Sequence, residues 1–226
     1  VEINKDACWL DLSAGSLELG TMNDVMDADV LDENVSHLIR KEKVSLAFGR
    51  YDETRAIYST PAYEIAANDG PQWRSVHIGL DFFCVPGTSV RAAYEGTVYS
   101  FANNNQERDY GPTIILQHRV SATLTFYTLY GHLNVGSLQN LSVGQTVHAG
   151  DVIALVGNRL ENGNWPPHLH FQVTLDILNK HGDFAGVCVP EQRAICKSIC
   201  PDPWSLLTGK KSPVLKSLVK EEIVSF

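Results

Sequence analysis

One short segment of the chain, residues 76–82, alternates strictly between hydrophobic and other side chains. Its sequence is Val-His-Ile-Gly-Leu-Asp-Phe. Successive side chains of a β-strand point to opposite faces, so the four apolar residues share one face while His77, Gly79 and Asp81 share the other. Because glycine lacks a Cβ, the imidazole and the carboxylate on either side of it can reach one atom above it. The pattern predicts a strand with an apolar back and a metal-binding front.

A second segment, residues 167–173, is built in the same way. Its sequence is Pro-His-Leu-His-Phe-Gln-Val, which places His168, His170 and Gln172 on one face of a strand. A single strand histidine is more often a half-buried polar residue than a metal ligand. Two such segments together indicate a site of two imidazoles and one carboxylate. That ligand set leaves the fourth tetrahedral position of zinc open for water, as in catalytic zinc sites.

Short β-runs broken by glycine and asparagine fill the chain from Ser75 to Val173. Their regular spacing is typical of an antiparallel β-sandwich or barrel. The predicted strands are residues 76–83, 89–93, 96–101, 113–118, 123–129, 146–147, 152–156 and 169–175.

Two of these regions, residues 87–92 and 144–151, resemble the hairpins of biotinyl- and lipoyl-carrier domains. Such carriers present a modifiable lysine on an exposed hairpin. Residues 74–172 contain no lysine, which excludes covalent cofactor carriage by this region.

Helical patterns lie on both sides of the β-rich region. Apolar residues recur at helical spacing between Val30 and Val44, with basic residues near the end, where cations favour a helix C-terminus. A second helix is predicted to begin at Ser212-Pro213, with serine as the N-cap and proline as the first helical residue. We therefore divide the chain into three parts: an N-terminal segment, residues 1–73, that is a packing element or a cover over the site; a β domain with the metal-binding strands, residues 74–178; and a loop-rich extension with a helix, residues 179–226.

Charge and cysteine content restrict the partners and the compartment. The chain has 18 Lys and Arg against 26 Asp and Glu, a formal charge of −8, and no basic run, which argues against nucleic acid and anionic membranes as partners. Its five cysteines are scattered without a CxxC pair, and no signal peptide or long apolar run is visible, so we expect a cytoplasmic location. A small metal knot of Cys188, Cys196 and Cys200 is a less favoured alternative. Because the sequence begins with Val1 rather than methionine, we expect a piece of a longer chain.

Three motifs occur in the order found in the lysostaphin (LytM) type zinc endopeptidases. They are His77-x-x-x-Asp81, Tyr130-Gly131-His132-Leu133 and His168-x-His170, and the segments 85–90, 95–98 and 143–147 between them also resemble that family. The resemblance covers about residues 74 to 175. It implies a mainly β fold, an antiparallel sandwich or barrel of the lysostaphin type built on a duplicated hybrid motif, with peripheral helices at both termini.

The resemblance also implies the chemistry of the site. By analogy with the family, His77, Asp81 and His170 hold zinc, and the metal-activated water hydrolyses a peptide or amide bond. The family's other two histidines fall on His132 and His168, which then act as acid, base and oxyanion stabiliser in an order that the sequence leaves open. Orientation of a ligand is an alternative role for His132.

Other functions remain open at this point. The domain could instead be a non-catalytic metal-binding or regulatory module, or an iron enzyme, since two histidines and one carboxylate also suit ferrous iron. Trp165 could form a wall of a substrate groove or simply pack within its loop, and we expect a structural role for His118. The flanking segments resemble the middle part of proteins that join a kinase-like domain, a peptidase-like domain and a class III aminotransferase, which implies covalently linked neighbouring domains.

Overall fold

Strands dominate the computed structural model of the protein, which describes residues 7–68 and 70–209. Within these residues the α-helices are α1 (Met22–Met26), α2 (Ala28–Glu42), α3 (Arg193–Ile199) and α4 (Pro203–Thr208). The strands in the same residues are β1 (Ala7–Trp9), β2 (Leu46–Gly49), β3 (Glu53–Thr54), β4 (Glu64–Ala67), β5 (Gly70–Trp73), β6 (Val76–His77), β7 (Leu80–Phe83), β8 (Ser89–Arg91), β9 (Gly96–Asn104), β10 (Gly111–Arg119), β11 (Thr125–Gly131), β12 (Thr146–Val147), β13 (Val152–Leu155), β14 (His168–Thr174) and β15 (Val187–Cys188). None of the helices in this described part is long and apolar enough to cross a bilayer.

The largest sheet has eight strands in the order β1-β2-β7-β14-β11-β10-β9-β12. Its pairs are antiparallel except for the parallel pair of β1 and β2. The predicted mainly β, antiparallel fold with helices towards both ends is therefore confirmed. Helix α2 confirms the helix predicted between residues 30 and 44, whereas the helix predicted from Ser212 lies outside the described residues. The three-part division of the chain stays a prediction.

The register of the central strands brings the chemical residues together. His170 of β14 lies opposite Asp81 of β7 on one side and opposite Gly131 of β11 on the other. Directly opposed residues of an antiparallel pair have Cβ atoms only about 4.5–5.5 Å apart. His132 follows at the end of β11, so three adjacent strands deliver side chains to one place.

The expectation of one continuous strand over residues 76–83 is wrong. The structure divides it into β6, which lies in a three-stranded sheet with β3 and β15, and β7, which lies in the large sheet. The chain changes sheets at Ile78 and Gly79, where the Ile78 N–H donates to the Gly186 carbonyl at 2.9 Å. A Cβ on Gly79 would lie 2.3 Å from Cε1 of His170, so the imidazole occupies the space of a side chain. His77 and Asp81 therefore approach the site from two different sheets.

The N-terminal segment is built into the same sheet. Strand β2 pairs with β7, and Phe48 at its centre is 1% exposed. The Phe48 ring contacts the rings of Trp9, Phe82 and Trp204, with centroids 5.1, 5.4 and 5.5 Å away. Residues from the start, the middle and the end of the described chain thus share one aromatic cluster.

We expect Phe48→Ala to lower the free energy of unfolding by about 3–5 kcal/mol, because it leaves a cavity among three aromatic rings. Urea denaturation followed by circular dichroism measures this change. The matched control is Leu17→Ala: Leu17 is 93% exposed, and its loss should change stability by no more than about 0.5 kcal/mol. Equal effects of the two substitutions would show that β2 does not stabilise the sheet.

Candidate metal centre

Three ligating atoms from β6, β7 and β14 converge at one point. Nε2 of His77 lies 3.0 Å from Nδ1 of His170, and both nitrogens lie 3.2 Å from Oδ1 of Asp81. All three residues are at most 3% exposed. Within the described chain they form the group of His, Cys, Asp or Glu side chains whose ligating atoms all lie within 4.8 Å of one another.

The other nitrogen of each histidine shows which atoms carry protons. Nδ1 of His77 lies 2.8 Å from the Arg50 carbonyl, which can only accept, so this nitrogen carries the proton and donates. Nε2 of His170 lies 3.0 Å from Oε1 of Gln172, whose amide is oriented by donating to the Ala185 carbonyl at 3.1 Å. Nε2 of His170 is therefore also a donor.

Three acceptors thus face one another in the centre. With their distal nitrogens protonated, His77 and His170 direct lone pairs at each other and at the Asp81 carboxylate. Such an arrangement is repulsive without a cation between the three atoms. Tetrahedral zinc bonded at about 2.0–2.1 Å spaces its ligand atoms by about 3.3 Å, close to the spacing observed here. The donor set and its geometry therefore fit a zinc ion.

A buried arginine from the N-terminal segment completes the environment of Asp81. Nη1 of Arg55 donates to Oδ2 of Asp81 at 2.6 Å, while its Nε donates to Glu53 at 2.9 Å. The two oxygens of Asp81 therefore have different partners: Oδ1 faces the histidines and Oδ2 faces the guanidinium. Burial alone would raise the pKa of Asp81, but the Arg55 guanidinium holds it well below its usual range. The carboxylate stays ionised and its orientation is fixed.

His132 and His168 lie beside the three acceptors, with ring centroids 4.2 Å apart. Nδ1 of His132 donates to the Asn162 carbonyl at 2.8 Å, and Nδ1 of His168 donates to the Pro166 carbonyl at 2.6 Å. Each ring thus keeps an Nε2 lone pair. Nε2 of His168 lies 3.8 Å from Oδ1 of Asp81, which places it at the metal centre without adding it to the triangle of ligating atoms.

Several residues of the site carry no signal in the sequence. Arg55 and Tyr58 belong to a short irregular segment, and the Tyr110 hydroxyl lies 3.3 Å from Nε2 of His170. Gln172 was on the predicted chemical face, but its role as acceptor for His170 depends on a distant carbonyl. His118 lies outside the centre, between the Glu95 carbonyl and the Thr128 hydroxyl.

A cavity of about 370 Å³ opens onto the metal centre. Trp165 lies in its wall and is 5% exposed; its ring contacts those of His132 and Tyr58, with centroids 6.2 and 6.0 Å away. Both interpretations of Trp165 therefore hold, because it is packed and also lines the cavity. The N-terminal segment supplies much of the remaining wall, including Leu12, Leu19, Leu31, Val35 and Ile57.

We expect Gly79→Ala to abolish metal binding while the protein stays folded, because the new Cβ would displace the His170 imidazole. Zinc content by mass spectrometry of the purified protein measures this. The control is Gly15→Ala, since Gly15 is exposed and its nearest neighbour would be 3.9 Å from the added Cβ. Equal zinc in both variants would contradict the close packing of His170 on Gly79.

The metal-free protein should lose stability in acid. Burial, and secondly Arg55, lower the pKa of His77 to about 4, and burial also lowers the pKa values of His132 and His168. Because these folded-state values lie below the ordinary value of about 6.5, the unfolded chain takes up protons first as the pH falls. His77 alone should cost roughly 2 kcal/mol between about pH 7 and pH 5. Urea denaturation of chelator-treated protein tests this, and a constant free energy of unfolding over that range would refute it.

Known proteins resemble the central part of the chain. Residues 75–181 match the sequence model of peptidase family M23. The DD-carboxypeptidase/endopeptidase Mpg of Neisseria meningitidis serogroup B (strain ATCC 13091 / M2091) is 29% identical over 104 residues, which cover 46% of this chain and 21% of the relative. The chain thus spans about a fifth of the length of the curated relatives it matches.

Solved structures of lysostaphin overlap with the same region. The solution structure of lysostaphin is 27% identical with a TM-score of 0.43, over 61% of this chain and 46% of that one. The catalytic domain of lysostaphin from Staphylococcus simulans is 26% identical with a TM-score of 0.37, over 60% of this chain and 86% of that one. The match to the family model confirms the resemblance inferred from the three motifs: residues 75–181, just under half of the chain, are similar to peptidase family M23.

Proposed function

We propose that the protein is a zinc-dependent hydrolase of a peptide or amide bond. The observation that carries this proposal is the convergence of three acceptor atoms, 3.0–3.2 Å apart, in a buried pocket that adjoins two further histidines. The family supports it, because peptidase family M23 implies hydrolysis by a metallopeptidase.

His77, Asp81 and His170 would hold the zinc through Nε2, Oδ1 and Nδ1. When bound, zinc supplies Lewis acidity, which polarises a carbonyl group and lowers the pKa of water to about 7. The set of ligands carries one negative charge, and Arg55 offsets it. A site with this charge balance favours the oxyanion that develops when water attacks an amide carbon.

His132 and His168 would move the protons of the reaction. Each holds its Nδ1 proton on a backbone carbonyl, so Nε2 is free to accept a proton from water and to return it to the leaving amine. Burial lowers the pKa of His132 well below its ordinary value and also lowers that of His168. Both rings are consequently in the accepting form at neutral pH.

The relatives support a peptide as the substrate class. The curated relatives are named DD-carboxypeptidase/endopeptidase, and the solved domain is described as an antimicrobial peptidase. A peptide or a smaller amide is therefore the substrate that we propose for this chain.

Substitution of the four histidines of the site should separate metal binding from turnover. We expect His77→Ala and His170→Ala to lose the one zinc per chain, because each removes a ligand. His132→Ala and His168→Ala should keep the zinc and lose about 100-fold or more in kcat/KM on a panel of peptides and amides, because each removes proton transfer.

The control is His148→Ala, whose side chain is 72% exposed, and it should keep both properties. Zinc retained equally by all five variants would refute the ligand assignment. Zinc in the wild-type protein without hydrolysis of any amide would favour a non-catalytic metal-binding module, and iron with oxygen-dependent turnover would favour an oxygenase.

A further inference from the structure

The cavity at the metal centre is a partly enclosed chamber. The ring of Tyr58, from the N-terminal segment, lies 6.3 Å from that of His77, and the five histidine and aspartate side chains of the site are at most 5% exposed. Cavities of about 300–1,000 Å³ are typical of small-molecule sites, and this one measures about 370 Å³. A compact substrate fits such a chamber better than a polymer that lies across a surface.

Arg108 contributes an unpaired positive charge to the wall of this chamber. The residue is 8% exposed, and it lines the cavity together with His132 and His168. Its Nη2 donates to the Met26 carbonyl at 3.0 Å, but its buried Nη1 has no hydrogen-bond partner among the described residues. Among the described residues no carboxylate forms an ion pair with Arg108, although Glu107 and Asp27 are close enough to interact with its charge. A buried guanidinium with a free donor is costly, and an anion would relieve that cost.

The fold holds Arg108 firmly in this position. Its guanidinium carbon lies 4.7 Å from the centre of the Trp165 ring, which fixes the plane of the donors. Its backbone has a φ of 63°, a left-handed conformation that is uncommon for a residue other than glycine. Its N–H donates to the Gly163 carbonyl at 2.9 Å, and its own carbonyl accepts from the Tyr63 hydroxyl.

Trp165 contacts both Arg108 and a histidine of the metal centre. The same indole contacts both Arg108 and the His132 ring. The guanidinium and that imidazole are therefore no more than about 11 Å apart. Roughly three extended residues, at ~3.5 Å each, span this distance. Glu107, Asp109 and Asp183 also line the chamber, and Arg74 offsets part of the charge of Asp183.

We propose that Arg108 binds the carboxylate of a compact anionic amide, such as an N-acyl amino acid or a short peptide with a free carboxyl terminus. This inference rests on the proposed function, because the amide of the same molecule lies at the metal centre. The oxygen of a water molecule adds to the amide carbon and the C–N bond breaks. The leaving amine takes a proton from that water. Arg108 then selects substrates by their charge and does not take part in bond breaking.

The test uses matched pairs of N-acetyl-amino acids and their C-terminal amides, with Gly, Ala, Leu and Phe side chains. The two members of each pair differ in the charge of the carboxylate. Calorimetric titration of the chelator-treated protein avoids direct ligation of zinc by the carboxylate. We expect at least one acid to bind about tenfold or more tightly than its amide. Arg108→Gln should remove this preference and Arg108→Lys should retain part of it, because lysine keeps the charge without the planar fork.

The control is Arg119→Gln, an exposed arginine at the end of β10, which should keep the full preference. Circular dichroism shows whether each variant is folded. On any carboxylate substrate that the zinc-loaded protein cleaves, Arg108→Gln should raise KM tenfold or more and change kcat little.

The inference is overturned if the wild-type protein shows no preference in any of the four pairs, or if the preference survives in Arg108→Gln. Failure of the proposed function gives a different result. An Arg108-dependent preference for the acid without hydrolysis would support the anion site and refute the hydrolase. Hydrolysis without any preference for the acid would support the hydrolase and refute the anion site.

Discussion

The mutual repulsion of three acceptor atoms is the constraint on which the site depends. A carbonyl holds the outward nitrogen of His77, an oriented glutamine amide holds that of His170, and a guanidinium holds the outward oxygen of Asp81. These contacts leave lone pairs pointing inward, where only a cation relieves the repulsion. The surrounding fold therefore orients the three acceptor atoms in advance for a cation.

This preorganisation comes from two kinds of structure. Strand register aligns Asp81 with His170, because both belong to long antiparallel pairings in the large sheet. His77 comes instead from a separate three-stranded sheet. The close approach of the two sheets at Gly79 brings the third atom into place, which explains why a residue without a Cβ stands between the two ligating side chains in the sequence.

Alternation of side chains was enough to predict which residues share a chemical face, because that property is local to a strand. It also predicted most of the strands, and helical spacing of apolar residues predicted helix α2. It could not show that the chain changes sheets at Ile78, since this break depends on the imidazole of a residue far away in sequence. Arg55 and Arg108 were beyond prediction for the same reason: both lie in segments without periodicity, and their importance arises from contacts made across the fold.

The two oxygens of the Asp81 carboxylate have different partners, which would link metal binding at the site to packing of the N-terminal segment. Oδ2 is held by Arg55 and Oδ1 faces the histidines, so the proposed metal ion and the segment around residues 50–58 would share a single anionic group. By thermodynamic linkage, whatever strengthens one hold on this carboxylate changes the other by the same free energy. Binding of the proposed metal ion and packing of the segment around residues 50–58 against Asp81 should therefore strengthen or weaken each other.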